Sequence, residues 1–121
     1  MEHKIWYDDQ DNILVQEVIG FFSTEDALNV AKLYKEILEG KPYRHSIVDL
    51  SQAGKMENRE TRGVINKILD EAGFSHVAFV GANSANRMIA KVLMKLGTLK
   101  AKSTFVRTRE DAVKWLKDRR E

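Results

Sequence analysis

The 121-residue sequence predicts a single α/β domain built on a mixed sheet of about five strands. Three observations predict this fold class. Short apolar runs typical of strands alternate with stretches of helical periodicity, which indicates parallel strands joined by right-handed helical crossovers. Two branched and aromatic runs open the chain with a short polar turn between them, which indicates an antiparallel hairpin. No linker, internal repeat or low-complexity tract divides the chain. The predicted element order is ββαβαβαβα, with four helices.

The first half of the chain is predicted to form the hairpin and one helix. "HKIWYD" and "NILVQEVIG" flank the turn "DQDN". The helix covers "STEDALNVAKLYKEILEG", residues 23–40, where Ser23 and Asp26 have the spacing of a capping pair and Gly40 and Pro42 end the helix. The residues with helical spacing that are expected to face the core are Ala27, Val30, Ala31, Tyr34, Ile37 and Leu38.

The second half is predicted to alternate strands and helices. The short apolar run "HSIVDL" indicates a buried strand, and the helix after it should bury Val64, Ile65, Ile68 and Leu69. The predicted elements are a strand at residues 45–50, a helix at 58–73, a strand at 76–81, a helix at 83–97, a strand at 102–107 and a helix at 108–120.

The composition bounds the function. Lys plus Arg is 20 and Asp plus Glu is 18, a net charge of +2, and this balance argues against a dedicated nucleic-acid binder. The chain has no Cys, which excludes disulfides and thiolate metal sites. No run approaches the roughly 20 apolar residues that span a bilayer. The expectation is a cytoplasmic protein that does not span a membrane.

Several sequence patterns resemble those of the STAS domain, the family shared by anti-sigma-factor antagonists and the tails of sulfate transporters. "SIVDLS" is similar to the family's central strand, "HVAFVG" to its next strand and "TREDAVKWLK" to its closing helix. With "FFSTEDALNVAKLYKEIL", the resemblance is to the SpoIIAA-like (STAS/Sec14-type) branch. The resemblance implies a regulatory or binding domain without enzymatic activity or cofactor, whose partner is a protein or a small ligand. It leaves a homodimer open.

The resemblance also directs attention to the start of the second helix. In signalling members of the family, a partner kinase phosphorylates the Ser of an Asp-Ser-x-Gly motif there. Counting from Asp49 without a gap puts Asn58 at the position of that Ser, whereas an insertion of three residues would match "ETRG" and put Thr61 there. The ungapped alignment is favoured because the shifted one places Lys67 at a core-facing position. Asn58 can cap a helix but has no hydroxyl to phosphorylate.

Three further candidates have ordinary structural interpretations beside the functional ones. Asp49 ends a central strand, where ligands gather in open α/β sheets, but it is expected to hydrogen-bond its own loop. Ser84 follows a strand and a glycine, and its ordinary role is to cap a helix. Arg87, Lys91 and Lys95 form a basic stripe that is either a solvated face or a contact for an anion or an acidic partner.

The remaining residues that could carry chemistry predict no metal site and no catalytic centre. His3, His45 and His76 are scattered along the chain, without a His or carboxylate at metal-ligand spacing. The Gly-x-Ser-x-Gly elbow of α/β serine hydrolases is absent. Trp6 and Trp115 are expected to pack in the core or at an edge, and either could line a pocket.

These observations favour a non-enzymatic regulatory or binding module. Two alternatives stay open. One is a phospho-regulated partner switch with Thr61 or a nearby Ser as the acceptor. The other is a binder of a small apolar or lipid ligand in a cleft between helices and sheet.

Overall fold

The computed structural model of the protein describes residues 3–56, 59–81, 91 and 100–120. Five strands and three helices lie within these residues. In chain order they are β1 (Lys4–Asp8), β2 (Ile13–Phe22), α1 (Thr24–Leu38), β3 (His45–Met56), α2 (Arg59–Glu71), β4 (His76–Val80), β5 (Lys102–Val106) and α3 (Arg109–Lys117). No helix among the described residues is long and apolar enough to cross a membrane.

The five strands form one mixed sheet in the order β1-β2-β3-β4-β5. β1 pairs antiparallel with β2, and the other three pairs are parallel. The predicted sheet and its opening hairpin are therefore confirmed. The third predicted helix, over residues 83–97, lies outside the described residues apart from Lys91, so the four-helix order is not confirmed.

The central strand is longer than predicted. β3 continues beyond residue 50 to Met56, and β2 continues beyond Gly20 to Phe22, with two irregularities in the pairing between them. The polar composition of "SQAGK" indicates a loop, but these residues pair with the end of β2. Gly20 has a φ of +66°, and a Cβ on Gly54 would lie 3.0 Å from the Gly20 carbonyl carbon. Two glycines thus let the strands approach closely.

One face of the sheet packs against α1 and α2. Ser23 and Asp26 form the predicted capping box at the start of α1, and Gly40, which follows the helix with a φ of +76°, is in the left-handed region. On α1, Ala27, Val30, Tyr34 and Leu38 are buried, whereas Ala31 and Ile37 are partly exposed. On α2, Ile68 and Leu69 are buried, and Val64 and Ile65 pack against the same core.

The other face packs against α3, which lies over β3, β4 and β5. Ala112 and Leu116 of α3 are fully buried. They contact a second apolar cluster of sheet residues: Ile13, Val15, Ile47, Ala78 and Val80. Because α3 lies towards β4 and β5, a cleft is left between this helix and the β1–β2 hairpin.

Candidate functional site

Asp49 lies opposite Val80, the last residue of β4, where the sheet narrows to β2 and β3. The expectation that Asp49 ends its strand is wrong, because β3 continues to Met56 by pairing with the end of β2. Asp49 pairs with Glu17 of β2 and Val80 of β4, and only 7% of its surface is exposed. Its Oδ1 accepts hydrogen bonds from the Ser51 backbone N–H (2.9 Å) and the Ser51 hydroxyl (2.6 Å). The contact with Ser51 is of the local kind that the sequence predicts.

Arg109 makes a contact with Asp49 that the sequence does not predict. Its Nε donates to Asp49 Oδ2 at 2.9 Å, and its Nη2 lies 2.6 Å from Glu17 Oε2. The guanidinium also lies over the Trp6 ring, 5.4 Å from its centroid. One side chain at the start of α3 therefore binds β1, β2 and β3 together. We call Arg109, Glu17 and Asp49 the carboxyl-edge clamp.

The clamp sets the charge state of Asp49. Burial alone would raise the pKa of this carboxyl group, but the hydrogen bonds from Ser51 and Arg109 outweigh burial and lower the pKa below its usual value. Asp49 is therefore ionised at neutral pH, and both of its oxygens are bound by groups of the protein. This arrangement stabilises the edge of the sheet.

The predicted switch loop lies partly outside the described residues. Asn58 is not among the described residues. Thr61 lies in the first turn of α2, but its side chain is not described. The described part of α2 agrees with the ungapped alignment. Lys67 is exposed and forms an ion pair with Glu71 (4.0 Å), whereas Val64, Ile65 and Ile68 pack on the core. Whether this loop carries a switch stays a prediction.

The predicted basic stripe cannot be placed in full. Lys91 is described and exposed, whereas Ser84, Arg87 and Lys95 lie outside the described residues. A contact for an anion or an acidic partner along this stripe stays a prediction.

His45 and His76, which are 31 residues apart in the sequence, are neighbours in the sheet. They pair in register as the first residues of β3 and β4, and their ring centroids are 5.0 Å apart. The signal in the sequence is that each opens an apolar run, since parallel strands start at the same edge of a sheet. His3 is buried elsewhere, where its ring contacts Asp26 Oδ2 at 3.1 Å. The described residues include no cluster of His, Cys, Asp or Glu suited to a metal ion.

The two histidines belong to a stack of rings at the amino edge of the sheet. The rings of Tyr43 and His45 are 5.4 Å apart, and those of His76 and Trp115 are 5.8 Å apart. Two guanidinium groups lie over the outer rings, Arg120 at 4.2 Å from Tyr43 and Arg119 at 4.3 Å from Trp115. We call the four aromatic side chains and the two arginines the amino-edge cluster.

Arg120 also ties the chain after α3 to the hairpin turn and to β3. Its Nη2 donates to the carbonyl oxygens of Asp11 (2.6 Å) and Asn12 (3.1 Å), and its Nε donates to His45 Nδ1 at 3.3 Å. Burial, with Arg120 and His76 nearby, lowers the pKa of His45 to about 4. His45 is therefore a neutral acceptor at neutral pH.

A cleft lies between α3 and the β1–β2 hairpin, and we call it the hairpin cleft. Its volume is about 400 Å³, within the range of small-molecule sites. Trp6, which the sequence left as a packing or pocket residue, is on its wall and is 36% exposed. The lining residues are Trp6, Asp8, Asp11, Ile13, Val15, Ile47, Arg109, Glu110 and Val113.

The opposite face of the sheet leaves little space in its described part. The cavity between the sheet, α1 and α2 has a volume of about 20 Å³, room for roughly one water molecule. Its polar lining is Gln16 and Tyr34, which are hydrogen-bonded to each other. A lipid would not fit there, so a small ligand that binds between a helix and the sheet has more space beside α3.

Comparison with solved structures places the fold. An uncharacterised protein from Shewanella loihica PV-4, of the DUF3478 family and with a SpoIIAA-like fold, matches with a TM-score of 0.70 and 19% identity, over 94% of this chain and 91% of that one. The anti-sigma factor antagonist SpoIIAA in its unphosphorylated form matches with a TM-score of 0.61 and 12% identity, over 95% and 97%. The phosphorylated Bacillus cell fate determinant SpoIIAA matches with a TM-score of 0.59 and 9% identity, over 94% and 98%.

Comparison of the sequence places the family. A search of curated proteins gives no match. The family model described as "Domain of unknown function (DUF7793)" matches residues 8–120, nearly the whole chain. The fold has the SpoIIAA-like architecture that the resemblance to STAS domains implied. The chain therefore belongs to the DUF7793 family.

Proposed function

We propose that this chain is a non-enzymatic regulatory module that acts by binding a protein partner at the carboxyl edge of its sheet. The observation that carries the proposal is Phe21, a large apolar side chain that is 57% exposed near the end of β2. It lies on the extension where β2 and β3 run beyond the clamp, and Ser51, Gln52 and Gly54 of β3 are exposed there too. Exposed aromatic side chains beside polar residues are typical of binding surfaces.

The carboxyl-edge clamp supports a binding role over a catalytic one. Active sites of open α/β sheets gather at the carboxyl ends of the strands, and Asp49 is the buried carboxylate there. A general base must be able to reach a substrate proton. Both oxygens of Asp49 are instead occupied by Ser51 and Arg109, so its described contacts suit a rigid edge for docking.

The proposal is tested by photo-crosslinking in cells of the source organism. A photoreactive amino acid is placed at Gln52 and, as the control position, at exposed Glu36 of α1. We expect one discrete product from Gln52 and none from Glu36. A product of twice the mass of the chain would identify a second copy of this chain as the partner. Equal labelling from both positions would contradict a specific surface.

Two matched variants locate the contact. Phe21→Ser should abolish the crosslinked product, because it removes the apolar centre of the surface. Leu28→Ser removes a side chain that is 54% exposed on α1 and should leave the product unchanged. Retention of the product in Phe21→Ser would refute the assignment to this surface. Turnover of a substrate that depends on one polar side chain would refute the non-enzymatic role.

A phospho-regulated partner switch is the second candidate. It is favoured by the position of Thr61 in the first turn of α2, because a phosphate gains from a helix N-terminus. One of the matching solved structures is a phosphorylated SpoIIAA. The test is the intact mass of the protein isolated from its own cells. A gain of one phosphate that is lost in Thr61→Ala would support the switch, and an unmodified mass throughout growth would exclude it.

A further inference from the structure

We propose that the hairpin cleft binds a small organic cation, a protonated amine or guanidine attached to an apolar body. This extends the binding module proposed above to a second site, on the face of the sheet that α3 covers. The cleft is formed within one chain and needs no partner protein. Its test therefore uses the isolated protein and can fail or succeed independently of the crosslinking experiment.

The shape of the cleft follows from how α3 is held. At the start of the helix, Arg109 binds Glu17 at 2.6 Å, and at its end Lys117 Nζ binds Asp11 Oδ1 at 2.6 Å. These two ion pairs are separated by about 12 Å along the helix. Between them the helix presents Val113 to the cleft. The result is an elongated space with an ion pair between α3 and β2 or the hairpin turn at each end, and with no such ion pair in its middle.

The floor of the cleft is apolar. Ile13, Val15 and Ile47 form it, and these side chains are nearly or fully buried members of the second core cluster. Trp6 and Val113 add apolar wall on the two sides. An apolar body in this space would cover the exposed parts of Trp6 and Val113, which favours binding. The pairing of an apolar lining with a few polar groups is usual for ligand sites.

The charges around the cleft select a cation. Three lining carboxylates, those of Asp8, Asp11 and Glu110, face one lining guanidinium, that of Arg109. Arg109 is already bound by the two carboxylates of the carboxyl-edge clamp. Asp8 and Glu110 form no ion pair with any described residue, although Asp8 Oδ1 accepts hydrogen bonds from the backbone N–H groups of Gln10 and Asp11. The net charge left without a cation is negative. An anion would be repelled, whereas a cation would gain from both carboxylates.

The two tryptophans of the chain make a direct test possible. In a Trp115→Phe variant, Trp6 on the cleft wall is the only indole and its fluorescence reports the cleft. The probes are three amines (benzylamine, 2-phenylethylamine and 3-methylbutylamine), with 2-phenylethanol and 3-phenylpropanoate as neutral and anionic analogues of the second. We expect saturable changes with the amines, binding of the alcohol about ten-fold weaker, and none of the carboxylate.

Two substitutions assign the binding to the cleft. Glu110→Gln should weaken amine binding about two- to five-fold, since it removes one exposed carboxylate. Glu25→Gln is its matched control, because Glu25 is the exposed second residue of α1 as Glu110 is of α3, and it should leave binding unchanged. Val113→Phe should fill much of the cleft without adding a second indole and should abolish binding, while urea unfolding verifies that this variant is folded.

Three results would overturn the proposal. One is the absence of saturable binding for all three amines at millimolar concentration. The second is binding of the alcohol or the carboxylate as tight as that of 2-phenylethylamine, since the cleft would then not select a cation. The third is equal weakening by Glu110→Gln and Glu25→Gln, which would show a general charge effect.

Discussion

The two ends of α3 are attached to the sheet by different chemistry. At its start, Arg109 is held by the carboxylates of Glu17 and Asp49. Beyond its end, Arg120 is held by two backbone carbonyl oxygens and by neutral His45. The first attachment is ionic, and the lowered pKa of Asp49 keeps that carboxylate charged at lower pH than usual. The second depends on a ring that must stay unprotonated. The same helix is thus secured by one attachment that tolerates acid and one that does not.

The largest effect is expected when the ionic attachment is broken. Arg109→Ala leaves two mostly buried carboxylates side by side without a cation, and we expect it to lower the free energy of unfolding by about 3 to 4 kcal/mol at pH 7. Urea denaturation measures the loss. Arg109→Lys should lose less, because it keeps the charge but not the two-pronged geometry.

A second substitution checks that the loss of stability in Arg109→Ala comes from the buried carboxylates left without a cation. Adding Asp49→Asn to Arg109→Ala should recover part of the stability, because the neutral amide costs less to bury than an unpaired carboxylate. A loss below about 1 kcal/mol for Arg109→Ala alone would show that the clamp contributes little.

The pH dependence separates the two ends. The pKa of His45 falls from 6.5 to about 4 on folding, so between these values the unfolded chain binds a proton that the folded chain does not. The contribution of neutral His45 to the free energy of unfolding is therefore complete above pH 6.5 and decreases as the pH falls towards 4. At about 1.4 kcal/mol for each pKa unit, the decrease is roughly 3 kcal/mol. The lowered pKa of His76 adds to it in the same direction.

The Asp49 carboxyl group of the clamp should respond only in stronger acid. The pKa of Asp49 is lowered from 3.8, so its contribution is present above that pH and is lost as the pH falls through the lower, folded value. Unfolding curves from pH 7.5 to about 3 measure both windows. His45→Gln should reduce the loss of stability between pH 6.5 and 4, and Asp49→Asn should leave that loss unchanged. If His45→Gln loses as much stability between pH 6.5 and 4 as the unsubstituted protein, other groups are responsible for that loss.

Most of the fold could be predicted from the sequence because its signals are local. The capping box of Ser23 and Asp26 and the periodic apolar residues of α1 depend on neighbours within four residues. The extension of β3 to Met56 could not be predicted, since its polar residues form a strand only because the end of β2 pairs with them. Propensity is overridden there by a tertiary partner.

The site was less predictable for the same reason. Asp49 was identified from a predicted strand end, although β3 in fact continues to Met56, and its main cation, Arg109, is 60 residues away in the chain. Nothing in the spacing indicates that pair. The proximity of His45 and His76 was predictable in principle, because each residue opens an apolar run and parallel strands share an edge. The hairpin cleft depends on where α3 comes to rest, which no local pattern encodes.

Breaking the attachment at Arg120 is expected to have a smaller effect than breaking the clamp. Arg120→Ala removes hydrogen bonds to two carbonyl oxygens and to His45 and uncovers the Tyr43 ring, and water can replace part of these contacts. We expect a loss of about 2 kcal/mol at pH 7, measured by urea denaturation. Arg120→Lys keeps a cation near Tyr43 but not the branched set of donors, and it should recover less than half. Full recovery by Lys would show that charge alone matters.

The smallest effect concerns Arg119, which lies over Trp115 and donates to the Trp115 carbonyl oxygen at 3.0 Å. It is exposed, so Arg119→Ala should change the free energy of unfolding by less than about 1 kcal/mol. Burial is the main cause that lowers the pKa of His76, followed by the positive charges of Lys102 and Arg119. Removing Arg119 should therefore raise that pKa towards 6.5 without reaching it, which an NMR titration of the His76 ring can measure. The pKa of His45, whose nearby charges are Arg120 and His76, should change much less in the same spectra because Arg119 does not act on it directly. A joint shift of both rings would mean that the amino-edge cluster titrates as one unit, and the acid-sensitive attachment of α3 would then extend across both histidines.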